Sequence, residues 1–175
     1  MGLKQLFESI TDHFEHSNIQ YAVIGGFALY GYGYIRATID IDLVVKLEDQ
    51  EKVRIFIEQL GFQTTNCTTA FSNHTHPIGN LQVDFMYVSG FTADEIFKYV
   101  ENRIIFDSRK YPVVSAKHLI AMKLFAAASD QDRLFKDLSD IKEIIKNTEI
   151  DTGELYTLFV KYGLEKYYEP IIGKQ

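Results

Sequence analysis

Apolar residues recur near the start of the chain at Leu3, Leu6, Phe7, Ile10 and Phe14. Steps of three and four predict an amphipathic helix that ends near His16, Ser17 and Asn18. Residues 21–24 form a short apolar, partly β-branched run that predicts a strand. It breaks at Gly25-Gly26, and FALYGYGY then reads as a short helix or turn weakened by Gly31 and Gly33. Over residues 38–45 the pattern alternates, with Ile39, Ile41 and Leu43 on one face and Thr38, Asp40 and Asp42 on the other. A period of two predicts a strand with one packed face and one polar, chemical face. Residues 47–60 return to helical period through Val53, Ile57 and Leu60, with Gly61 as the stop.

Residues 62–80 are polar, and Asn73, Pro77 and Gly79 read as turn markers around one or two short strands. LQVDFMYV, residues 81–88, predicts a further strand, with Asp84 on the face of Gln82 and Met86, and Val83 and Phe85 on the other. A short helix over 92–99 and a final strand or hairpin through Ile104, Ile105 and residues 111–114 follow. From Ser115 onward the period is helical. Strands early and helices late give an α+β fold, a small mixed sheet flanked by helices and followed by a helical segment. The expected organisation is an α/β core over residues 1–114 and a helical region over 115–175 packed on it as one compact unit.

Composition narrows the chemistry. A chain of 175 residues with 46% hydrophobic and 24% charged residues has the makeup of a folded domain. Neither a signal peptide nor a membrane-spanning run is expected, so the reading is cytoplasmic. One cysteine, Cys67, allows no internal disulfide or cysteine-rich zinc site. The net charge of −6 argues against broad, sequence-independent gripping of nucleic acid. It does not argue against phosphate, because divalent cations can stand between an acidic site and a phosphate substrate.

Asp40 and Asp42 share a strand face, which puts their Cβ atoms roughly 6–7 Å apart at about 3.3 Å rise per residue. Two carboxylates on a half-buried face repel and lose hydration unless something positive stands between them. Magnesium suits that place, since it takes few carboxylates and fills its remaining positions with water and substrate phosphate. Asp84 has the strand phase to complete such a site, either holding metal or receiving a proton. Gly25-Gly26, between a strand and a helix, has the geometry in which backbone N–H groups cradle phosphate, and Arg36 and Thr38 stand just before the acids. A lone Gly-Gly is mostly a turn and a lone D-x-D is often solvated; it is their ordered combination with Asp84 that carries the reading. There is no G-x-x-x-x-G-K-[ST] P-loop.

The run IGGFALYGYGYIRATIDIDLVV resembles the signature of the polymerase-β-like nucleotidyltransferases, in particular the AbiEii-type toxin family of minimal nucleotidyltransferases. That resemblance implies that Gly25 and Gly26 bind nucleotide phosphate, that Asp40 and Asp42 hold two magnesium ions, and that Asp84 holds metal or takes the proton. Gly26 stands where many relatives carry Ser. A second match lies in the late helices: HLIAMKLFAAAS supplies Lys123, and RLFKDLSDIKEII supplies Lys136, Asp137 and Asp140 in a Lys-Asp-x-x-Asp pattern. By resemblance Lys123 meets the triphosphate and Lys136 or Asp137 lines the nucleotide cleft. Without it, Asp137 and Asp140, three apart on one helix face, read as a solvated or helix-pairing face.

The implied function is transfer of a nucleoside monophosphate from an NTP to a hydroxyl, on the 3′ end of tRNA or another RNA or on a partner protein, by the toxin of a toxin–antitoxin pair. A cognate antitoxin is then the expected partner. The alternatives are a nucleotidyltransferase acting on a small hydroxylated antibiotic and a nucleotide-binding module without turnover. His74-Thr75-His76 lacks further ligands at zinc spacing and reads as a loop. The acids of Ser129-Asp130-Gln131-Asp132 read as a helix cap and acidic first turn. His118 reads as packed. Tyr30, Tyr32 and Tyr34 read equally as core, turn surface or a base-stacking groove.

Overall fold

The computed structural model describes residues 2–173. Its elements are α1 (Leu3–His16), β1 (Tyr21–Val23), α2 (Gly25–Gly31), β2 (Asp40–Lys46), α3 (Gln50–Gln59), β3 (Gln63–Cys67), β4 (Phe71–Thr75), β5 (Gln82–Val88), α4 (Gly90–Lys98), β6 (Glu101–Phe106), β7 (Arg109–Val113), α5 (Ala116–Ser129), α6 (Leu134–Lys146), α7 (Thr152–Lys161) and α8 (Tyr168–Ile172). The α+β expectation holds. Two compact units divide the described residues: the first takes in positions up to Gly31 and Arg36–Val114, the second Tyr32–Ile35 and the chain from Ser115.

In the first unit seven strands make one mixed sheet in the order β3-β4-β5-β2-β1-β7-β6. β2 runs parallel to β5 and β1 parallel to β7, and the remaining neighbours are antiparallel. The parallel β2–β5 pair decides the position of the site. Its register sets Asp42 directly beside Asp84, and β4 in turn sets Asn73 opposite Asp84. Because side chains alternate across a strand, Ile41, Leu43, Val83 and Phe85 all leave by the other face, and all are buried. Helix α1 covers that apolar face: its Phe14 ring lies 6.0 Å from Phe85, and its Phe7 ring packs edge-on to Phe27 of α2, Phe106 and Tyr111. Buried aromatic side chains of this size contribute about 1.5–3 kcal/mol each, so burying this face is what holds the polar face flat and in register.

Several expectations change. Ile39 is 67% exposed and precedes β2 instead of joining the packed face, because the ladder begins only at Asp40; Thr38 therefore stands in the entering loop. Residues 62–80 hold two strands, and Asn73 and His74 lie within the second of them instead of in a turn or loop. Their polarity concealed a true ladder: β4 is an interior strand whose buried positions are Ser72 and His74. Cys67 ends the edge strand β3 and is exposed.

The second unit contains α5 to α8. Helices α5 and α6 pack through Leu119, Ile120, Leu124, Leu134, Leu138, Ile141 and Ile144, all buried. Ser115 caps α5 by accepting from the backbone N–H of His118, and Asp130 accepts from the N–H of Asp132 ahead of α6. Tyr168 stacks edge-on against Tyr156 and Phe159 of α7. No described helix is long and apolar enough to cross a membrane.

Candidate active site

Three carboxylates meet on the polar face of the β2–β5 pair. Asp40, Asp42 and Asp84 each offer an oxygen, and these oxygens lie within 4.8 Å of one another; all three side chains are half-buried. The parallel register makes this possible, since strands about 4.8 Å apart bring directly paired side chains into mutual reach. Asp40 accepts a short hydrogen bond from the Thr38 hydroxyl, and Asp84 accepts one from Asn73 Nδ2 at 2.8 Å. Burial pushes the Asp84 carboxyl above its ordinary range; the Asn73 amide pulls the other way, and the neighbouring Asp40 charge adds to the rise.

The glycine turn lies against these acids. Gly25 has φ +62°, in the left-handed region, and a Cβ there would fall 1.9 Å from Asp42 Oδ2. A Cβ on Gly26 would fall 2.5 Å from Thr38 Oγ1 and 2.7 Å from Thr38 Cβ. No side chain fits either place without displacing a site residue. This also accounts for the departure from Ser at position 26: the Thr38 side chain fills the space that a side chain there would need. Behind the turn, the backbone N–H of Ile24 donates to the carbonyl of Asp42 at 3.1 Å, which fastens α2 to β2. The Tyr30 hydroxyl donates to the Arg36 carbonyl at 2.7 Å and shapes the loop that carries Arg36 and Thr38, both half-buried.

The donor set suits a hard divalent cation: carboxylate oxygens converge, with a neutral hydroxyl on Asp40 and a neutral amide on Asp84. Asp40, Asp42, Asp84, Gly25, Gly26, Arg36 and Thr38 all belong to the first unit. Lys123, Lys136 and Asp137 belong to the second. There the Lys123 ammonium, 6% exposed, donates to Asp140 Oδ2 at 2.6 Å and to Asp137 Oδ1 at 3.1 Å, and Arg133 Nε reaches Asp137 Oδ2 at 3.2 Å. The structure thus brings Lys123, Asp137 and Asp140 together as a helix-pairing ion cluster, while Lys136 on the same helix is exposed.

Sequence reasoning missed Asn73. Its type and its neighbours Pro77 and Gly79 pointed to a turn, and only the pairing of β4 with β5 gives it a carboxylate partner. His74 is fully buried and bonded to Ser72 and Thr64, 2.8 Å and 3.1 Å away, so it is part of the sheet's interior.

A family model described as "uncharacterised nucleotidyltransferase" matches residues 2–173. The chain belongs to that family. Solved structures of similar fold include the lincosamide antibiotic adenylyltransferase LnuA with lincomycin bound, 21% identical with a TM-score of 0.62, covering 85% of this chain and 99% of that one. The solution structure of the antibiotic-resistance factor ANT(2'')-Ia is 17% identical with a TM-score of 0.72, covering 95% and 96%. An antigenic nucleotidyltransferase-like protein from Paracoccidioides brasiliensis is 15% identical with a TM-score of 0.61, covering 99% and 94%. At these identities the likeness is one of fold. No curated protein matches the chain by sequence. For a nucleotidyltransferase the carboxylate cluster is the expected place for divalent metal.

Proposed function

We propose that this nucleotidyltransferase transfers a nucleoside monophosphate from an NTP to a hydroxyl acceptor, with Asp40, Asp42 and Asp84 holding two magnesium ions. The observation that carries this reading is the convergence of three carboxylate oxygens within 4.8 Å beside a turn where Gly25 and Gly26 admit no side chain. The ions, when bound, would offset the charge of the triphosphate and of the attacking and leaving oxygens. The chain's own groups do the positioning. Gly25 and Gly26 let Asp42 and Thr38 pack against the turn, whose backbone N–H groups would meet the triphosphate. Thr38 orients Asp40, and Arg36 supplies positive charge from the entering loop. Asp84 receives the proton of the acceptor hydroxyl. The acceptor oxygen forms a bond to the α-phosphorus as the bond from that phosphorus to the pyrophosphate oxygen breaks, and pyrophosphate leaves. By the resemblance of the late helices, Lys123 would meet the triphosphate and Lys136 or Asp137 would line the nucleotide cleft.

Two acceptor classes follow from different observations. The residue 24–45 run and the Lys136-Asp137-x-x-Asp140 pattern favour the AbiEii-type reading, with an RNA 3′ end or a partner protein as acceptor and a cognate antitoxin as partner. Fold likeness to a lincosamide antibiotic adenylyltransferase and to an antibiotic-resistance factor favours a small hydroxylated acceptor. One experiment separates them. The protein and its Asp40→Ala/Asp42→Ala variant are incubated with Mg²⁺, each α-³²P-labelled NTP, and in separate tubes total RNA, lysate protein, or a panel of lincosamides and aminoglycosides. Label on one acceptor class only with intact acids identifies both reaction and acceptor. Nucleotide bound but never transferred in any tube overturns the catalytic reading in favour of a binding module.

A further inference from the structure

Asn73, Asp84 and Asp42 form one row across three neighbouring strands, β4, β5 and β2, on the polar face of the sheet. Asn73 is half-buried, and its Nδ2 donates to Asp84 Oδ1 at 2.8 Å. One oxygen of Asp84 is thereby held from the side away from Asp42. The carboxylate can no longer rotate freely about its terminal bond, and Oδ2 is left as the oxygen with no amide on it.

The other face of β4 explains why Asn73 can serve as a fixed donor. Ser72 and His74, its two neighbours in sequence, are fully buried in a hydrogen-bonded chain. Thr64 donates to Glu58 at 2.8 Å, so its oxygen accepts from His74 Nδ1 at 3.1 Å. His74 Nε2 is then the acceptor for the Ser72 hydroxyl at 2.8 Å, and Ser72 in turn accepts from Tyr87 at 2.8 Å. A buried network with each member satisfied holds the backbone of residues 72–74 in one place. Asn73 stands between two anchored residues and faces the site.

We propose that Asn73 is a positioning residue for Asp84, fixing the carboxylate through Oδ1 so that Oδ2 is presented to metal or to the acceptor proton. The inference rests on the nucleotidyl-transfer reading of the carboxylate cluster and adds a residue to it from a strand outside the Gly-Gly and D-x-D run.

The test compares wild type, Asn73→Leu, which keeps the shape and removes the donor, and Asn73→Gln, which restores an amide on a longer stem. Mn²⁺ affinity is measured by titration of the unbound-ion EPR signal, transfer by kcat and NTP KM, and folding by thermal melting. Loss of an outer group that orients a metal ligand costs about 10- to 100-fold in affinity or activity. Asn73→Leu is expected to weaken Mn²⁺ binding and lower kcat within that range, at unchanged KM for NTP and near-unchanged melting temperature, and Asn73→Gln is expected to recover part of both. Wild-type Mn²⁺ affinity and kcat in Asn73→Leu would overturn the inference. Equal losses in Leu and Gln variants accompanied by a lowered melting temperature would also overturn it, in favour of a purely structural role. A wild type that binds Mn²⁺ in a manner dependent on Asn73 but transfers no nucleotide overturns the catalytic reading alone.

Discussion

The two units of this protein each bring charged side chains together, and they do so in opposite ways. In the first, Asp40, Asp42 and Asp84 converge within 4.8 Å, and the partners holding Asp40 and Asp84 are a neutral hydroxyl and a neutral amide. In the second, the buried Lys123 ammonium stands between buried Asp137 and Asp140, and Arg133 reaches Asp137 from the exposed surface, so charges of both signs meet. A cluster of mixed sign answers its charge from within the fold, because each ion offsets part of the hydration its partner has lost. A cluster of one sign works against its own fold, since gathering like charges at low dielectric raises the cost of ionising each. Such a cluster makes physical sense when a cation from outside completes it.

The largest effect that would break this contrast is in rate. Asp42→Asn should lower nucleotidyl transfer by roughly 10²–10³-fold or more, as loss of a group acting on transition-state charge does, while the melting temperature stays level or rises. Unchanged turnover in that variant would sink the assignment of the acids to catalysis. Next in size is the opposite cluster. Lys123→Met removes the buried cation shared by Asp137 and Asp140, and denaturant unfolding should show a loss of about 3–5 kcal/mol. The triple variant Lys123→Met/Asp137→Leu/Asp140→Leu should regain most of it. A Lys123→Met protein as stable as wild type would mean that the pair does not serve the fold.

Gly25→Ala tests the turn. The left-handed φ alone costs on the order of 1–3 kcal/mol, and the new Cβ would also displace Asp42, so Mn²⁺ affinity should fall as well. Gly79→Ala is the control: φ is +91° with nothing within 4 Å, and stability should drop with Mn²⁺ affinity unchanged. The smallest effect is in pH. The Asp84 carboxyl is raised from 3.8 in the fold, so between that value and its folded pKa the folded state binds more protons than the unfolded one. Stability therefore falls as pH rises through that window. Metal-free Asp84→Asn should be more stable than wild type at neutral pH, with the gain fading as pH falls through that window and absent below 3.8 in a series of denaturant titrations.

How much could be read without coordinates depended on whether a pattern was local. Helix α1 and strands β2 and β5 were legible because burial on one face imposes a period, and that period brought out Asp40, Asp42 and Asp84 on a polar face. One or two strands were expected in residues 62–80, but the bounds of β3 and β4 were not legible, because QTTNC is mostly exposed at a sheet edge and FSNHT buries a serine and a histidine where an apolar residue would have been expected. Ile39 misled for the converse reason: alternation continued one step beyond the ladder that gives alternation its meaning. Tyr32 is buried, which settles its place among the readings left open for the tyrosines of residues 30–34.

The sequence by itself determined helix α1, strands β2 and β5, the Gly-Gly turn, the shared face of Asp40 and Asp42 and the strand phase of Asp84, because each follows from spacing along one stretch of chain. Only the tertiary structure decided that β2 and β5 run parallel in the register that pairs Asp42 with Asp84, that Thr38 occupies the room beside Gly26, that Asn73 holds Asp84, and that Lys123 is met by Asp137 and Asp140. Those are contacts between residues 11 to 42 positions apart, and strand order and helix pairing are set by which apolar faces bury one another, a quantity that belongs to the whole fold.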